Sequence, residues 1–258
     1  MENLKEITSR DNPLVKHIAK LISSASYRKE CGEFVAEGLR ICSDCFENSV
    51  EVKTLVVTKE FAEKGLSQLE KYLSGIKEKV VVSASVFDKI SDTKNPQGIL
   101  LVGKIPQKRG DSIDKNGRYV ALENINDPAN LGAVSRTAEA LGINGIILSG
   151  DGCDPYSPKA LRASMGTLLR MPVIVFDNFA DELKNSGLKI FCCVVRNGID
   201  IKTADFSSGS AVLIGNEANG LTEEAQKIGT PVTIKMSGTA ESLNASVAAA
   251  IAMWELIR

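Results

Sequence analysis

Residues 127–142 read Asp-Pro-Ala-Asn-Leu-Gly-Ala-Val-Ser-Arg-Thr-Ala-Glu-Ala-Leu-Gly and follow a short apolar run at residues 119–122. The apolar run predicts a buried strand, and the apolar residues of the longer stretch recur at the spacing of a helix. Asn130 comes shortly after a proline and belongs to a type that often caps helices, so we expect it to begin this one. A strand that leads through a short loop into a helix is the repeating unit of an α/β fold.

Arg136 lies on a different side of this predicted helix from the apolar residues. One turn earlier stand Gly132 and Ala133, whose side chains are minimal. A long cation beside such small residues leaves room for a ligand against the helix. An ordinary solvent-exposed arginine is the alternative, and this stretch alone does not decide between the two.

Strand-like runs alternate with helical segments throughout the C-terminal half, which predicts a doubly wound sheet. Most runs are almost continuously apolar, as expected for parallel strands that are buried on both faces. Ligands of such sheets bind at the carboxyl ends of the strands, so the loops after residues 122, 215 and 235 form the predicted site. The runs lie at residues 119–122, 145–148, 173–176, 190–195, 211–215 and 232–235.

A polar segment with a proline and two glycines, residues 105–117, predicts a linker between two domains. It separates a domain at residues 1–104 from a second at residues 118–258. The first also alternates helices and strands, which favours a small α/β domain. Its predicted helices are at residues 13–23, 39–46 and 66–73, with a short one near Val86, and its predicted strands are at residues 34–37, 52–58, 80–82 and 98–102.

The composition is that of a globular protein, with 43% hydrophobic and 24% charged residues among 258. No run of about 18 apolar residues exists, so no membrane span is expected. The first residues lack an apolar signal core, so we expect a cytoplasmic protein. The net charge is −1, so any contact with RNA would need a local basic patch.

A metal site is not expected, because the chain has six cysteines but a single histidine, His17. Cys42 and Cys45 have the spacing of half a zinc site, yet no matching second pair follows. We therefore interpret the cysteines as buried thiols in a reducing compartment.

A second block, residues 211–222, reads Ala-Val-Leu-Ile-Gly-Asn-Glu-Ala-Asn-Gly-Leu-Thr. It nearly matches the phosphate-binding loop GxxxxGK[ST], but Leu221 stands where the essential lysine belongs, which excludes a nucleoside triphosphatase. The dinucleotide fingerprint GxGxxG is also absent after the first strand, which disfavours a nicotinamide dehydrogenase. Glu217 could simply be a carboxylate at a helix N-terminus, and this block alone leaves that possibility open.

A third block, residues 234–252, reads Ile-Lys-Met-Ser-Gly-Thr-Ala-Glu-Ser-Leu-Asn-Ala-Ser-Val-Ala-Ala-Ala-Ile-Ala. Ser242 or Asn244 can cap the final helix. The small alanines that follow at helical spacing would let a loop, a ligand or a second subunit approach closely. A capped helix packed on the sheet explains most of this block, but it does not explain the polar loop before it.

In this order, the three blocks resemble the SpoU/TrmH branch of the SPOUT RNA methyltransferases. The resemblance extends from about Tyr119 to the end of the chain. It depends on Asn130 with Arg136, on Gly215, Glu217 and Gly220-Leu221, and on Ser242-Leu-Asn-Ala-Ser246.

The first 100 residues resemble the RNA substrate-binding domain of the same family, which is similar in fold to a small RNA-binding ribosomal protein. The motifs here are shorter and less specific. They are Asn12-Pro-Leu-Val-Lys16, Phe34-Val-Ala-Glu-Gly-Leu-Arg40 and Pro96-Gln-Gly-Ile99.

This resemblance implies an α/β protein whose C-terminal domain is a Rossmann-like parallel sheet with a deep trefoil knot. It implies methyl transfer from S-adenosylmethionine to a ribose 2′-hydroxyl of RNA, without a metal, by a homodimer whose sites lie at the interface. The separate N-terminal domain favours ribosomal RNA over transfer RNA as the substrate.

The resemblance also implies roles for individual residues. Arg136 would hold a phosphate beside the target ribose and stabilise charge on the attacking oxygen, Asn130 and Glu217 would orient Arg136, and Asn244 would orient the hydroxyl. In the N-terminal domain, basic residues are candidate RNA contacts: Arg10, Lys16, Arg28 and Arg40. The expected cofactor-binding residues are Ile214, Gly215, Asn216, Ile234, Met236, Leu243, Asn244 and Ser246.

Two other functions stay open at this point. One is a non-catalytic RNA-binding protein with the same fold, although a pure scaffold would not need Asn130, Arg136, Glu217 and Asn244 together. The other is a small-molecule α/β enzyme, which would be active without RNA.

Overall fold

The structure is a computed structural model that describes residues 4–106, 113–206 and 209–258. It divides into two compact units. The first contains the described residues up to Pro106 together with Tyr156–Leu169, and the second contains the remaining described residues. Part of the predicted linker, residues 107–112, lies outside the described residues.

The first unit is built on a five-stranded mixed sheet. Along the sheet the strands are ordered β1-β4-β3-β5-β2; β1, β4 and β3 are mutually parallel, and β5 runs antiparallel to both β3 and β2. The strands are β1 (Lys5–Ile7), β2 (Glu33–Glu37), β3 (Val52–Thr58), β4 (Glu78–Val82) and β5 (Ile99–Lys104). The helices between them are α1 (Pro13–Ser23), α2 (Ala25–Cys31), α3 (Leu39–Glu47), α4 (Lys59–Lys64), α5 (Glu70–Leu73) and α6 (Ala84–Phe87), with 3-10 turns at Leu66–Leu69 and Asp88–Ile90.

Helix α1 shows why this unit folds as the sequence predicts. Pro13 occupies its first turn, and the Asn12 side chain accepts a hydrogen bond from Leu14 N at 2.9 Å, which satisfies one of the otherwise unpaired N–H groups. Val15, Ile18 and Leu21 are buried against the sheet at helical spacing. The predicted helix over residues 13–23 is confirmed, whereas β1, α2 and α4 were missed because they are short or mostly polar.

The second unit is a seven-stranded sheet in which every strand pairing is parallel, as predicted. The strand order is β10-β12-β9-β11-β6-β7-β8. The strands are β6 (Arg118–Leu122), β7 (Gly145–Ser149), β8 (Val173–Phe176), β9 (Lys189–Cys193), β10 (Ile199–Asp200), β11 (Ser210–Ile214) and β12 (Thr230–Thr233). The helices of this unit are α7 (Pro128–Ala140), α10 (Phe179–Lys184), α11 (Glu223–Gln226) and α12 (Ala245–Ile257), with a 3-10 turn at Ile201–Thr203. Helix α8 (Pro158–Ala163) and all but the last residue of α9 (Thr167–Arg170) lie in the segment Tyr156–Leu169, which belongs to the first unit.

The caps of two helices differ in how well the sequence predicts them. Helix α7 is capped by Asp127, which accepts from Ala129 N at 2.9 Å, so the expectation that Asn130 begins it is wrong. Helix α12 is capped by Asn244, one of the two predicted candidates. The buried alanines of α12 include Ala245, Ala249 and Ala252, and the helix packs on α7 and on the sheet.

No helix of the described residues is long and apolar enough to cross a membrane. Nor do those residues contain a group of three or more His, Cys, Asp and Glu side chains that could hold a metal ion. The predicted knot is not tested by these observations and stays a prediction.

A buried carboxylate ties the single histidine to the first sheet. Glu33 on β2 accepts hydrogen bonds from Lys53 and from His17 Nε2, the latter at 2.9 Å, and His17 Nδ1 lies 2.9 Å from the Tyr27 hydroxyl. Burial raises the pKa of the Glu33 carboxyl, but the hydrogen bonds and charges of Lys53 and His17 outweigh burial, and the net pKa is lowered.

We expect Glu33→Gln to destabilise the protein at neutral pH by about 2 kcal/mol, the typical value of hydrogen bonds to a charged group. Because the folded pKa is lowered, the stabilisation is complete above the unfolded pKa of about 4.3 and is lost as the pH falls through the folded value. Thermal unfolding from pH 7 to pH 3 should therefore show a difference between wild type and variant that shrinks in acid. The exposed neighbour Glu30 gives the control Glu30→Gln, which should have no such effect; an equal difference at all pH values would contradict the assignment.

Candidate active site

A buried carboxylate joins two of the three loops that the sequence singled out. Glu123 directly follows β6 and is only 6% exposed. Its two oxygens accept from the backbone N–H of Thr222 at 2.9 Å and from the Thr222 hydroxyl at 2.7 Å. Thr222 also caps α11. Thr222, which occupies the final [ST] position of the near match to a phosphate-binding loop, therefore holds the loop after β11 against the end of β6.

The loop after β11 is a tight ring over Asn216–Gly220. Asn216 N donates to Gly220 O at 3.1 Å and Gly220 N donates to Asn216 O at 2.8 Å. The Asn216 side chain accepts from Ala218 N and Asn219 N inside the ring and donates to Asn124 O at 2.8 Å. Every polar atom of this carboxamide side chain is thus used to fix the loop.

Gly215 is required at the base of the ring. A Cβ atom there would lie 2.3 Å from the backbone of Gly220 and of Leu221, closer than real Cβ contacts. Glu217 lies within the ring and precedes α11 in sequence, because that helix begins only at Glu223. Glu217 is therefore a loop residue, and its interpretation as a carboxylate at a helix N-terminus is wrong.

Asn130 connects all three sequence blocks. It is 8% exposed in the first turn of α7. Its Nδ2 donates to Glu217 Oε1 at 2.5 Å, and its Oδ1 accepts from Asn244 Nδ2 at 3.1 Å. The same Asn244 accepts from the backbone of Ser246 and Val247 at the start of α12 and from the Ser246 hydroxyl at 2.6 Å. The chain Glu217–Asn130–Asn244 therefore brings together three of the four predicted catalytic residues.

Arg136, the fourth, is exposed on α7. Among the described residues it has no hydrogen-bond or ion-pair partner, so neither Asn130 nor Glu217 holds it directly within the chain. Its guanidinium remains a fixed positive charge with all its donors available. It can therefore bind an anion without first breaking an internal contact.

A cavity of about 370 Å³ opens beside the ring, at the carboxyl ends of β9, β11 and β12. Six of the eight predicted cofactor-binding residues line it: Ile214, Gly215, Asn216, Ile234, Met236 and Leu243. The other two, Asn244 and Ser246, do not line it but fix the start of α12. The apolar side chains of the cavity, together with the exposed backbone over Asn216–Gly220, suit a ligand with a flat aromatic group that has polar edges.

The last residue of β9 and the two residues after it also line this cavity, and sequence reasoning missed them. They are Cys193, Val194 and Val195. The signal was indirect, because β9 lies beside β11 and β12 only in the folded sheet. Burial raises the pKa of the Cys193 thiol to about 12, which keeps it neutral and unreactive. Two further lining residues, Glu241 and Ser242, belong to the polar loop that a simple capped helix could not explain.

The predicted RNA contacts of the first unit differ in availability. Arg40 is exposed, and so is Arg10, whose Nε donates to Ser85 O at 2.9 Å. Lys16 is exposed and pairs with Asp11 at 3.1 Å. Arg28 is only 4% exposed, and its guanidinium donates to the backbone oxygens of Leu21 and Ile22 at the end of α1. The expectation that Arg28 contacts RNA is therefore wrong; it satisfies the C-terminus of a helix instead.

Comparison with known proteins places this site in context. Residues 117–254 match the SpoU rRNA Methylase family, and residues 12–101 match the MRM3-like substrate binding domain. The 23S rRNA (guanosine(2553)-2′-O)-methyltransferase RlmP of Bacillus subtilis is 29% identical over 98% of this chain and 99% of its own length. The 23S rRNA (uridine(2479)-2′-O)-methyltransferase of Streptomyces viridochromogenes is 27% identical over 98% of this chain and 92% of its own.

A solved structure of similar fold covers nearly the whole chain. The AdoMet-bound rRNA methyltransferase from Sinorhizobium meliloti has a TM-score of 0.84 and 32% identity, covering 98% of this chain and 97% of its own. The family match includes α7, the ring over Asn216–Gly220 and the start of α12, which together form the site described above. The match to the family covers more than half of this chain. The chain therefore belongs to the SpoU rRNA Methylase family.

Proposed function

We propose that this protein is an S-adenosylmethionine-dependent methyltransferase that modifies a ribose 2′-hydroxyl of ribosomal RNA, most specifically 23S rRNA. The observation that carries the proposal is the Glu217–Asn130–Asn244 chain at the rim of the cavity. It fixes polar groups from all three loops next to a pocket of cofactor size. The full-length similarity to two 23S rRNA 2′-O-methyltransferases supports the choice of RNA.

The cavity fits S-adenosylmethionine on the chemistry of its lining. Ile214, Ile234 and Leu243 offer apolar surfaces to the adenine, while the exposed backbone of the ring offers hydrogen bonds to its edge. Asn244 and Ser246 would stand on the methionine side. Bound there, the cofactor would supply an electrophilic methyl group on a sulfonium, whose sulfur leaves as a neutral thioether and needs no further activation. The remaining task for the protein is to align the nucleophile and stabilise its charge.

The attacking group is a ribose hydroxyl, a weak nucleophile that would pass its proton to solvent water as its oxygen attacks the methyl group. Arg136 would bind the phosphate beside that ribose and stabilise negative charge on the attacking oxygen. An arginine stays protonated in proteins, so this role is electrostatic and not that of a general base. Asn130 would keep Glu217 and Asn244 in position, and Asn244 would orient the hydroxyl. The donor set requires no metal.

We further propose a homodimer, formed in part by the outer face of α12. Val247 and Trp254 are 46% and 57% exposed and lie seven residues apart on the same face of this helix. Large exposed apolar side chains that form a patch mark an interaction surface. A second subunit could then present its Arg136 to the cofactor of the first. The domain at residues 118–258 would carry the knot of its family, and the site of action would be the cytoplasm.

Methyl transfer decides the proposed function. Purified protein should transfer labelled methyl from S-adenosylmethionine to 23S rRNA isolated from cells that lack the gene, and mapping of 2′-O-methyl groups should locate one nucleotide that is modified only when the gene is present. Transfer to tRNA instead would change the substrate. RNA binding without any transfer would identify a non-catalytic member of the fold, and activity without RNA would identify a small-molecule enzyme.

Arg136→Ala should lower kcat by about a hundredfold or more, the typical cost of removing one group that stabilises transition-state charge. The affinity for S-adenosylmethionine should be unchanged in calorimetry, because Arg136 does not line the cavity. Arg118→Ala is the matched control, because Arg118 is an exposed arginine at the opposite, amino end of β6. Equal kcat in wild type and Arg136→Ala would remove Arg136 from the catalytic centre.

Gly215→Ala should weaken binding of S-adenosylmethionine at least tenfold, because the new Cβ would push the ring over Asn216–Gly220 out of place. Gly238→Ala is the control, since a Cβ at Gly238 meets nothing within 4 Å and the residue lies in the loop of the third block. Calorimetric titration of both folded variants with S-adenosylmethionine measures the difference. If both variants bind like wild type, the ring does not shape the cofactor site.

Trp254→Glu should convert the protein from a dimer to a monomer of 27.7 kDa, because a charge cannot be buried unpaired at an apolar contact. Light scattering coupled to gel filtration gives the mass directly. Val175→Glu provides a matched control, because Val175 is 49% exposed on β8, away from α12. A dimeric Trp254→Glu variant would show that the outer face of α12 is not the interface.

A further inference from the structure

The first unit contains a second concave site of about 310 Å³, which none of the groups described above occupies. It lies between the start of α3, the segment after the Asp88–Ile90 turn and helix α8. We call it the Arg40–Arg162 pocket. Its lining includes Arg40, Thr93, Asn95, Gln97, Arg162 and Met165.

The carboxylates in this region are already supplied with donors. Glu37 is 6% exposed and accepts from the Ser91 hydroxyl at 2.5 Å, the Thr93 hydroxyl at 2.6 Å and Asp92 N at 2.8 Å. The carboxylate of Asp92 in turn accepts from Arg162 Nη2 at 2.5 Å. A segment that binds a buried carboxylate in this way is held rigidly, so the pocket is formed before any ligand arrives.

Several hydrogen-bond donors of the pocket have no partner among the described residues. Arg162 Nη1 is buried and has no hydrogen-bond partner among the described residues. The side-chain oxygen of Gln97 accepts a hydrogen bond from Leu39 N at 2.8 Å, so its NH2 group is available to donate to a ligand. Arg40 is exposed, and no hydrogen bond or ion pair joins its side chain to the rest of the described chain. A buried donor without a partner is costly, so the pocket is suited to a ligand rich in acceptors, such as a phosphate.

The dimensions of the pocket favour a single nucleotide over a duplex. Its volume of about 310 Å³ has room for a phosphate with its sugar and base, and Ile41 and Met165 provide an apolar surface for the base. Structured RNA is recognised through such unstacked nucleotides of loops and bulges. The first turn of α3, which lines the pocket, adds the favourable partial charge of a helix N-terminus.

We infer that the Arg40–Arg162 pocket binds one unstacked nucleotide of the RNA substrate, with its phosphate between the two guanidinium groups. This inference rests on the proposed function. It extends the match of residues 12–101 to a substrate-binding domain, because Arg162 lies outside that match, in the segment Tyr156–Leu169 that joins the first unit. The RNA site would thus be completed by a residue that sequence comparison assigns to the methylase family.

The test uses full-length protein and 23S rRNA from cells that lack the gene. The double variant Arg40→Gln/Arg162→Gln should raise the Kd for this RNA about tenfold and reduce the salt dependence of binding by about one in the log–log slope. The KM for RNA should rise while kcat and the affinity for S-adenosylmethionine stay unchanged. Lys71→Gln is the matched control, an exposed lysine of the same unit that does not line the pocket.

Two single variants keep the test decisive if the double variant is destabilised. Arg40→Gln changes an exposed side chain and leaves the fold intact, so its RNA affinity decides the point. Arg162→Lys retains a charge that can pair with Asp92 and should recover part of the affinity that Arg162→Gln loses. RNA affinity and salt dependence equal to those of Lys71→Gln in every variant would overturn the inference.

The outcomes also separate this inference from the proposed function. If wild type methylates 23S rRNA and the variants keep its KM, the pocket is not an RNA site, although the proposed function stands. If wild type transfers no methyl group, the proposed function fails, and RNA affinity alone decides the pocket. If the variants lose affinity for free AMP but not for RNA, the pocket binds a small nucleotide and the inference is wrong.

Discussion

The hydrogen bonds of the Asn130 carboxamide are the contact on which the rest of the site depends. One buried side chain donates to Glu217 and accepts from Asn244, and these residues belong to loops that are 87 and 114 positions away in sequence. A hydrogen bond typically contributes about 0.5–1.5 kcal/mol net, and leaving a buried polar group such as the Asn130 carboxamide unsatisfied costs about 1–3 kcal/mol. Displacing any one of these loops therefore leaves the hydrogen bonds of the Asn130 carboxamide incomplete.

Further contacts make the same corner of the sheet rigid before any ligand binds. Glu123 clamps Thr222, Asn216 closes the ring after β11, and Gly215 allows the ring to lie against its own strand. Such a cradle loses little conformational freedom on binding, which favours both affinity and alignment of reacting groups. Asn130, Glu217 and Asn244 are held by one another, whereas the Arg136 side chain has no hydrogen-bond or ion-pair partner among the described residues, so its donors are available to the substrate.

The basic residues show how one residue type serves different purposes. Arg28 is buried and completes the backbone hydrogen bonds of α1, Arg162 is shared between Asp92 and a pocket, and Arg40 and Arg136 have no partner in the described chain. With a net charge of −1, the protein cannot attract RNA through its overall field. In the proposed function, affinity for RNA comes from local basic side chains that anions can reach, such as Arg40, Arg136 and Arg162, and not from the buried Arg28.

The sequence by itself determined the parallel sheet, most strand positions and the three blocks of the site, because apolar periodicity and capping are local signals. It could not decide that Asp127 rather than Asn130 caps α7, since both types favour that position. Only the tertiary structure decided that β9 lies beside β11 and adds Val194 and Val195 to the cavity, that Arg28 is buried, and that Arg162 joins Arg40. These facts depend on which segments pack together, and contacts between residues far apart in sequence leave no periodic trace in it.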